Sequence, residues 1–533
     1  MRVVAAHAQH DASIAVVDDG CLVRHVEIQK DSGRRYASMP DGRLADFIGR
    51  LDRPPAIFAS GGWHGRTGGY MGHDESSIMT RSADAHGHLL QQFATSHLRS
   101  HIFCAYGLSP FDQGQPCYAL VWEGEIGSFF HVDEHCRVSY LGTPLTEPGH
   151  RYSFLFELAD PGFSDRAEGW SLGVAGKLMA LACQGSGEPL DAQDQGLLDR
   201  LLDRFDSRTH RKRDFRDHPY CDAGVLHPPF RRFATAFSDA IFDRFHAFAS
   251  KHLDKKLPLL IVGGCGLNCS WNTRWRESGL FEDVFVPPCA DDSGCAIGAA
   301  VDAQRHFTGN AKLQWDVYCG EPFVEDAAID DRFERLPLDY HHLAARLARG
   351  SIAAWATDRY ELGPRALGNR SLLAAPFAPS TRDRLNQIKQ REPYRPVAPV
   401  CLEEAVSKWF GWQGRSEYML DFQQVLSPRL QAVTHEDGSA RLQTVNAGQN
   451  KKLHQLLVAF EALTGAGVLC NTSLNFPGRG FINRSSDLQR YAESRDIDVM
   501  VINECMYARR PGSTASDRDG DASTVAGLDA IPR

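Results

Sequence analysis

A short apolar run, Leu257-Pro-Leu-Leu-Ile-Val262, stops at Gly263-Gly-Cys-Gly-Leu-Asn268 and gives way to helical sequence. Val284-Phe-Val-Pro-Pro288 and Asp291-Asp-Ser-Gly-Cys-Ala-Ile-Gly-Ala-Ala300 repeat the order of strand, polar turn and small-residue helix. No other pattern in the chain constrains the fold as much. It is the α/β arrangement in which backbone N–H groups at a helix start can face a phosphate. Gly263, Gly264 and Asn268 are the candidate donors. The competing explanation is close strand–helix packing, because many such connections contain glycine.

The chain has 533 residues, too many for one ordinary core, so two or three domains are expected. Residues 1–30 read as a hairpin of short apolar strands with a turn at Asp18-Asp19-Gly20. Ala56–Gly62 reads as a buried strand, residues 84–106 as a helix, and Tyr118–Trp122 with Gly127–Val132 as a second hairpin. Residues 227–253 place Phe233, Phe237, Ile241 and Phe245 at helical spacing. The looser, charged stretch 305–345 sets a boundary, giving units at 1–340 and 341–508 and a polar, disordered tail at 509–533.

Net charge is −9, which argues against a nucleic-acid coat. No run of eighteen apolar residues offers a bilayer span, and the N-terminus turns polar too early for a signal peptide. The 14 cysteines are scattered without a disulfide framework, which fits reduced thiols and a cytoplasmic location. Cys265, Cys269, Cys289 and Cys295 lack a Cys-x-x-Cys pair and read as small core residues.

Against this acidic background, Glu361-Leu-Gly-Pro-Arg-Ala-Leu-Gly-Asn-Arg-Ser371 stands out. A core strand has no use for two arginines among glycine and proline, whereas a guanidinium fork suits phosphate oxygens. Arg365, Lys389, Arg395 and Arg441 together predict a site for a small phosphorylated molecule. Arg370 fits that reading too, while Arg391 and Glu392 fit a solvated helix face. His97 and His101 are one helical turn apart, a metal-chelating spacing if a carboxylate such as Asp292 or Glu123 completes it. Such a set suits iron, manganese or another divalent ion better than structural zinc. His10-Asp-Ala-Ser13 reads either as turn chemistry or as a base with polar support.

Nine motifs in order resemble those of the O-carbamoyltransferases of nodulation-factor and antibiotic biosynthesis. They are His-Asp-Ala-Ser at 10–13, His-x-x-x-His at 97–101, Gly-Lys-Leu-Met-Ala-Leu-Ala at 176–182, Gly-Gly-Cys-Gly-Leu-Asn-Cys at 263–269 and Asp-Ser-Gly-x-Ala-x-Gly-Ala-Ala at 292–300. Gly-Pro-Arg-Ala-Leu-Gly-Asn-Arg-Ser follows at 363–371, then Lys-x-Arg-Glu-x-x-Arg-Pro at 389–396, His-x-Asp-Gly-x-Ala-Arg-x-Gln-Thr-Val at 435–445 and Asn-Thr-Ser-Leu-Asn at 471–475. The resemblance covers residue 1 to about 508. It departs at Glu123-Gly124, where many members have Asp-Gly, and at Ala175, where many have Glu.

The resemblance implies an α/β fold in two units: an N-terminal ASKHA domain, actin-like with two ribonuclease-H-like halves, and a C-terminal YrdC-like domain. It implies that carbamoyl phosphate and ATP form carbamoyl-adenylate, which an acceptor hydroxyl then attacks. Arg365, Lys389, Arg395, Arg441, Asn471 and Ser473 would bind carbamoyl phosphate, with Asn471 and Ser473 as neutral donors. Gly263, Gly264, Asn268 and Lys177 would bind nucleotide. His97, His101, Asp292 and Glu123 would hold a divalent metal (iron, magnesium or manganese). His10, assisted by Asp11, would be the general base, with an imidazole pKa near neutrality. The acceptor would be a small hydroxylated natural product, with a hydroxymethylcephem favoured. Nucleic acid and membrane are not expected partners, and a homodimer is compatible. The alternatives are a tRNA threonylcarbamoyl-type enzyme and a non-catalytic nucleotide-binding module of the same fold.

Overall fold

The computed structural model describes residues 1–62, 69–85, 88–164, 171–183, 185 and 188–510. The first sheet contains β1 (Arg2–His7), β2 (Ser13–Asp18), β3 (Cys21–Glu27), β4 (Ile57–Ser60), β5 (Met79–Ala85) and β6 (His88–Ala94), in the order β3-β2-β1-β4-β6-β5. The second contains β7 (Cys117–Trp122), β8 (Gly127–Val132), β9 (Val138–Gly142), β10 (Leu259–Val262) and β11 (Val284–Phe285), in the order β9-β8-β7-β10-β11. Five strands of the first sheet match the second in order and in sense. β1 pairs antiparallel to β2 and parallel to β4, as β7 pairs antiparallel to β8 and parallel to β10. The strand–turn–helix units read at 257–300 thus belong to a sheet whose plan occurs twice.

Four helices position the site: α1 (His97–Leu108), α2 (Pro228–His252), α3 (Cys269–Glu277) and α4 (Cys295–Thr308). The helix expected over 84–106 starts only at His97. Ser96 caps it by accepting from Arg99 N, and the preceding residues are drawn into β6 by pairing with β4 and β5. The apolar stripe expected in α2 is buried, with Phe233, Phe237, Ile241 and Phe245 all inaccessible.

The C-terminal sheet has eight mixed strands. They are β12 (Phe333–Pro337), β13 (Ala353–Ala356), β14 (Arg370–Ala374), β15 (Ala398–Leu402), β18 (Gln443–Val445), β19 (Val468–Ser473), β20 (Val499–Ile502) and β21 (Cys505–Arg509), beside a small hairpin of β16 (Phe422–Gln424) and β17 (Ser439–Arg441). β12 lies upstream of residue 341 yet pairs with β21. Of the tail expected from 509, residues 511–533 lie outside the described residues.

The two units are docked through polar contacts. Buried Lys30 donates to Glu27 and to the carbonyls of Glu361 and Gly363, at 2.8, 2.6 and 2.7 Å, and Gly363 N donates to Glu27 at 2.7 Å. Gly363 has φ 77°, and a Cβ there would lie 2.0 Å from the Pro288 carbonyl. Only glycine satisfies both conditions. The arginine-bearing loop is therefore seated on the N-terminal unit by its own backbone.

Candidate active site

α1 and α4 cross so closely that a Cβ on Gly298 would lie 1.7 Å from the Ser100 carbonyl oxygen. A buried pair fixes this crossing: Arg99 Nε and Nη2 donate to Asp302 at 2.9 and 2.7 Å. The crossing brings His97 and His101 against the turn that carries Asp292. From the second sheet, β7 is buried along its length and ends at Trp122, which stacks on Trp271 at 4.5 Å, so the strand end delivers Glu123 to the same point.

His97 Nε2 lies 3.1 Å from Glu123 Oε2 and 3.8 Å from Asp292 Oδ1, and His101 Nε2 lies 3.3 Å from each carboxylate. All four expected metal ligands converge, and the longer Glu123 reaches the cluster. Cys295 is buried in the core, as read from sequence, and also faces the cluster. Its Sγ is 3.7 Å from His101 Nε2, and one donor atom each from His97, His101, Asp292 and Cys295 lie within 4.8 Å of one another. Burial disfavours charge on both imidazoles, yet Asp292, Glu123 and Cys295 raise His97 and His101 well above the ordinary histidine value. Burial likewise opposes ionisation of Glu123, but the imidazoles hold it down to about 2. The cluster thus draws in positive charge. Two imidazoles, the Asp292 carboxylate and a thiol are a donor set that fits a divalent transition ion, with Glu123 beside the imidazoles.

His10 and Asp11 flank this cluster. His10 Nδ1 meets Asp11 Oδ2 at 3.2 Å, and Nε2 lies 3.4 Å from Asp292 Oδ2. Asp11 sits at φ 54° in a tight turn, with its carboxylate turned to the imidazole. That bond, opposed by burial and helped by the Asp292 charge, raises His10 to about 9. The near-neutral imidazole expected from sequence is corrected by these carboxylates. His7, not anticipated, is fully buried with Nε2 3.6 Å from Asp292, where burial lowers it to about 4.

His10, Asp11, Glu123 and Asp292 open onto a cavity of about 620 Å³, and Arg365, Arg391, Arg395 and Arg441 line it from the C-terminal unit. Among the described residues, Arg365, Arg391 and Arg441 have no carboxylate within ion-pair distance, and Arg395 has only Glu392 at 3.8 Å. Nε of Arg365 and of Arg441 is buried without a hydrogen-bond partner. Burial and then the Arg395 charge pull Arg391 down to about 9, and burial and then Arg365 pull Arg441 to about 9. Among the described residues these like charges converge with Glu392 as their one carboxylate partner, an arrangement chemically suited to an anionic ligand.

Several expectations fare differently. Arg391 belongs to this wall and not to a solvated face. Lys389 does not line the cavity; its ammonium is bonded to Ser473 Oγ at 3.1 Å, to the Asn475 carbonyl at 3.3 Å and to the Asn475 side chain. Arg370 is also a brace, donating to Thr357 O, Asn369 O, Asp358 O and Asn483 Oδ1. Asn471 lines the cavity, but its amide hydrogens go to Ala366 O and Gln443 Oε1, leaving Oδ1 unpaired. Ser473 Oγ donates to Asn475 Oδ1 at 2.6 Å. Both residues therefore offer acceptors where neutral donors were expected. Gly264 and Asn268 line the cavity. Gly263 stands behind them at φ 91°, where a Cβ would lie 2.4 Å from Trp122 O. Lys177 pairs with Glu392 at 2.7 Å and lies outside the lining.

A carboxylate–imidazole cluster and an arginine wall thus meet at one cavity. Similarity to known proteins names the class. Residues 236–301 match the family model "Carbamoyltransferase N-terminus" and residues 344–509 match "Carbamoyltransferase C-terminus". The chain is 44% identical over 522 residues to 3'-hydroxymethylcephem-O-carbamoyltransferase of Amycolatopsis lactamdurans, covering 96% of this chain and all of that one. It is 43% identical to the enzyme of the same name from Streptomyces clavuligerus, with the same coverage. It is 34% identical to Nodulation protein U of Bradyrhizobium diazoefficiens, covering 90% of this chain and 93% of that one. The chain belongs to the carbamoyltransferase family and is a carbamoyltransferase. No helix among the described residues is long and apolar enough to cross a membrane.

Proposed function

We propose that this protein is an ATP-dependent O-carbamoyltransferase that takes its carbamoyl group from carbamoyl phosphate and delivers it, through carbamoyl-adenylate, to the hydroxyl of a small acceptor of the hydroxymethylcephem kind. The observation that carries this reading is the shared cavity, with uncompensated arginines on one wall and His10 beside a carboxylate–imidazole cluster on the other. The repeated five-strand plan supports ribonuclease-H-like halves for the N-terminal unit. The C-terminal unit, with its mixed sheet and arginine wall, is assigned the YrdC-like adenylating role. ATP dependence and the all-free cysteines favour a cytoplasmic enzyme.

Carbamate is a poor electrophile, so it needs activation as a mixed anhydride. Carbamoyl phosphate, ATP and water give carbamoyl-adenylate, phosphate and pyrophosphate. Arg365, Arg391, Arg395 and Arg441 would compensate the charge of these phosphates as it concentrates in the first step. Gly264 and Asn268 present polar groups at the start of α3 to the nucleotide. In the second step the acceptor oxygen attacks the carbamoyl carbon, its proton passes to His10 in its neutral form, a fraction that grows as pH rises toward 9, and AMP leaves. Asp11 orients the imidazole and stabilises its charged form. A divalent ion held by His97, His101, Asp292 and Glu123 would polarise a phosphate oxygen and offset the Asp292 charge beside His10. Enclosure between the units keeps water from the anhydride.

The test is pyrophosphate and AMP release from purified protein. Pyrophosphate should require ATP and carbamoyl phosphate together, and AMP should rise on adding a 3-hydroxymethylcephem. No pyrophosphate with any divalent ion removes the reading. Salt-dependent binding of tRNA would favour the nucleic-acid-modifying alternative instead.

A further inference from the structure

The turn between Thr434 and Ser439 places a neutral imidazole on the arginine wall. His435 lines the cavity and meets Phe422 edge-on, with ring centres 5.1 Å apart. Its tautomer is fixed by its neighbours. Ser439 Oγ donates to Asp437 Oδ1 at 2.7 Å, and a hydroxyl has only one hydrogen to give. Toward His435 Nδ1, at 3.0 Å, Oγ can therefore only accept. Nδ1 carries the hydrogen and Nε2 the lone pair. Nε2 is buried and has no hydrogen-bond partner among the described residues. Burial, with the Arg441 charge acting against Asp437, keeps the ring down to about 4, so it is neutral at physiological pH.

The guanidinium groups beside it can only donate. They match phosphate oxygens but leave a lone pair unanswered, and an unsatisfied buried acceptor is destabilising until a ligand donor reaches it. Asn471 Oδ1, also buried and unpaired, gives the same cavity a second acceptor. The ligand that answers this wall carries phosphate oxygens together with N–H hydrogens.

We propose that His435 Nε2 accepts an N–H hydrogen of the carbamoyl group and so selects carbamoyl phosphate over acyl phosphates without that hydrogen. This rests on the reading of the cavity as the carbamoyl-phosphate site. Acetyl phosphate is the discriminating probe, because it replaces the amino group by a methyl and keeps the phosphate. His435→Phe keeps the ring against Phe422 and deletes the acceptor, while His435→Gln restores an acceptor oxygen near Nε2.

The experiment measures KM and kcat for carbamoyl phosphate by pyrophosphate release, the KM for ATP, and inhibition by acetyl phosphate, in the full-length protein and both variants. Wild type should bind carbamoyl phosphate more tightly than acetyl phosphate. His435→Phe should shrink that preference at least about tenfold through the carbamoyl phosphate KM, with the ATP KM unchanged, and His435→Gln should recover part of it. An unchanged preference in His435→Phe overturns the proposal. So does a shift confined to the ATP KM, which would assign Nε2 to the adenine amine, or a fall in kcat that Gln does not rescue, which would make His435 a base. If His435→Phe does not fold, wild type against His435→Gln still decides, since Gln must keep the preference within a few fold. Absence of pyrophosphate from wild type would instead strike the proposed function itself.

Discussion

Behind the N-terminal wall of the cavity, two buried imidazoles stand 3.1–3.8 Å from the two carboxylates that line it and are driven toward the protonated form. On the C-terminal wall, another imidazole, His435, stands beside arginines and is driven toward the neutral form. The same side chain takes opposite states because carboxylates overcome the effect of burial at His97 and His101, whereas at His435 burial prevails and Arg441 offsets Asp437. The walls also differ in self-sufficiency. The N-terminal cluster compensates its own charge, whereas on the arginine wall, among the described residues, only Arg395 has a carboxylate within ion-pair distance. On the proposed function, the first is stable by itself and the second is completed by a phosphorylated substrate.

The largest break in that comparison is expected from the arginines. Arg441→Met should lower pyrophosphate formation by roughly 10²–10³-fold, the scale for removing one charged donor aimed at developing phosphate charge. Melting of the ligand-free variant should be no lower than wild type, because the lost charge was repelled and not paired. A large fall in melting temperature would show that the wall is compensated in a way the geometry does not reveal. Asp292→Ala should do the converse. It strands two buried imidazoles, so the ligand-free protein should lose about 3–5 kcal/mol in urea unfolding, and divalent-ion binding by calorimetry should vanish. Pyrophosphate release should survive if the first step belongs to the arginine wall alone.

How much of this could be read from sequence depends on where each property resides. The strand–turn–helix units at 257–300 were legible because glycine and apolar runs act locally. His97, His101, Asp292 and the arginines were legible because their chemistry has few uses. The start of α1 was not: His88-Leu-Leu-Gln-Gln-Phe-Ala94 is made largely of helix formers, and partners distant in sequence pull it into a strand. Lys389 and Arg370 look like Arg365 in sequence, and only the carbonyls they meet make them braces. Cys295 had a faint signal, three residues after Asp292 at a helix start, where both can face one point. His435 belongs to one of the nine motifs, but its role depends on a proton assignment that no spacing encodes.

A smaller effect isolates the architecture of the N-terminal wall from its chemistry. Gly298→Ala forces a methyl toward the Ser100 carbonyl and must push α1 from α4. Overpacking of this kind costs about 1–3 kcal/mol. The variant should bind divalent ions at least tenfold more weakly and transfer poorly, with pyrophosphate formation near wild type. Equal loss of both half-reactions would mean that the walls are one cooperative site.

The smallest effect concerns the two states of histidine directly. His435 has its folded pKa lowered to about 4, below the ordinary 6.5. Between these values the unfolded chain takes up a proton that the folded chain refuses. The contribution to stability is therefore complete above pH 6.5, declines as pH falls from 6.5 toward 4, and is flat below. His435→Gln removes that proton from the balance. Urea midpoints at pH 7, 5.5 and 4.5 should fall less steeply in the variant, by up to about 1.4 kcal/mol per pH unit. Added pyrophosphate, bound to the arginines, should weaken the difference, because an anion beside the ring makes its protonation easier. A slope unchanged by the substitution would mean that burial, aided by Arg441, does not hold this imidazole neutral, and the contrast between the two walls would then rest on the carboxylate side alone.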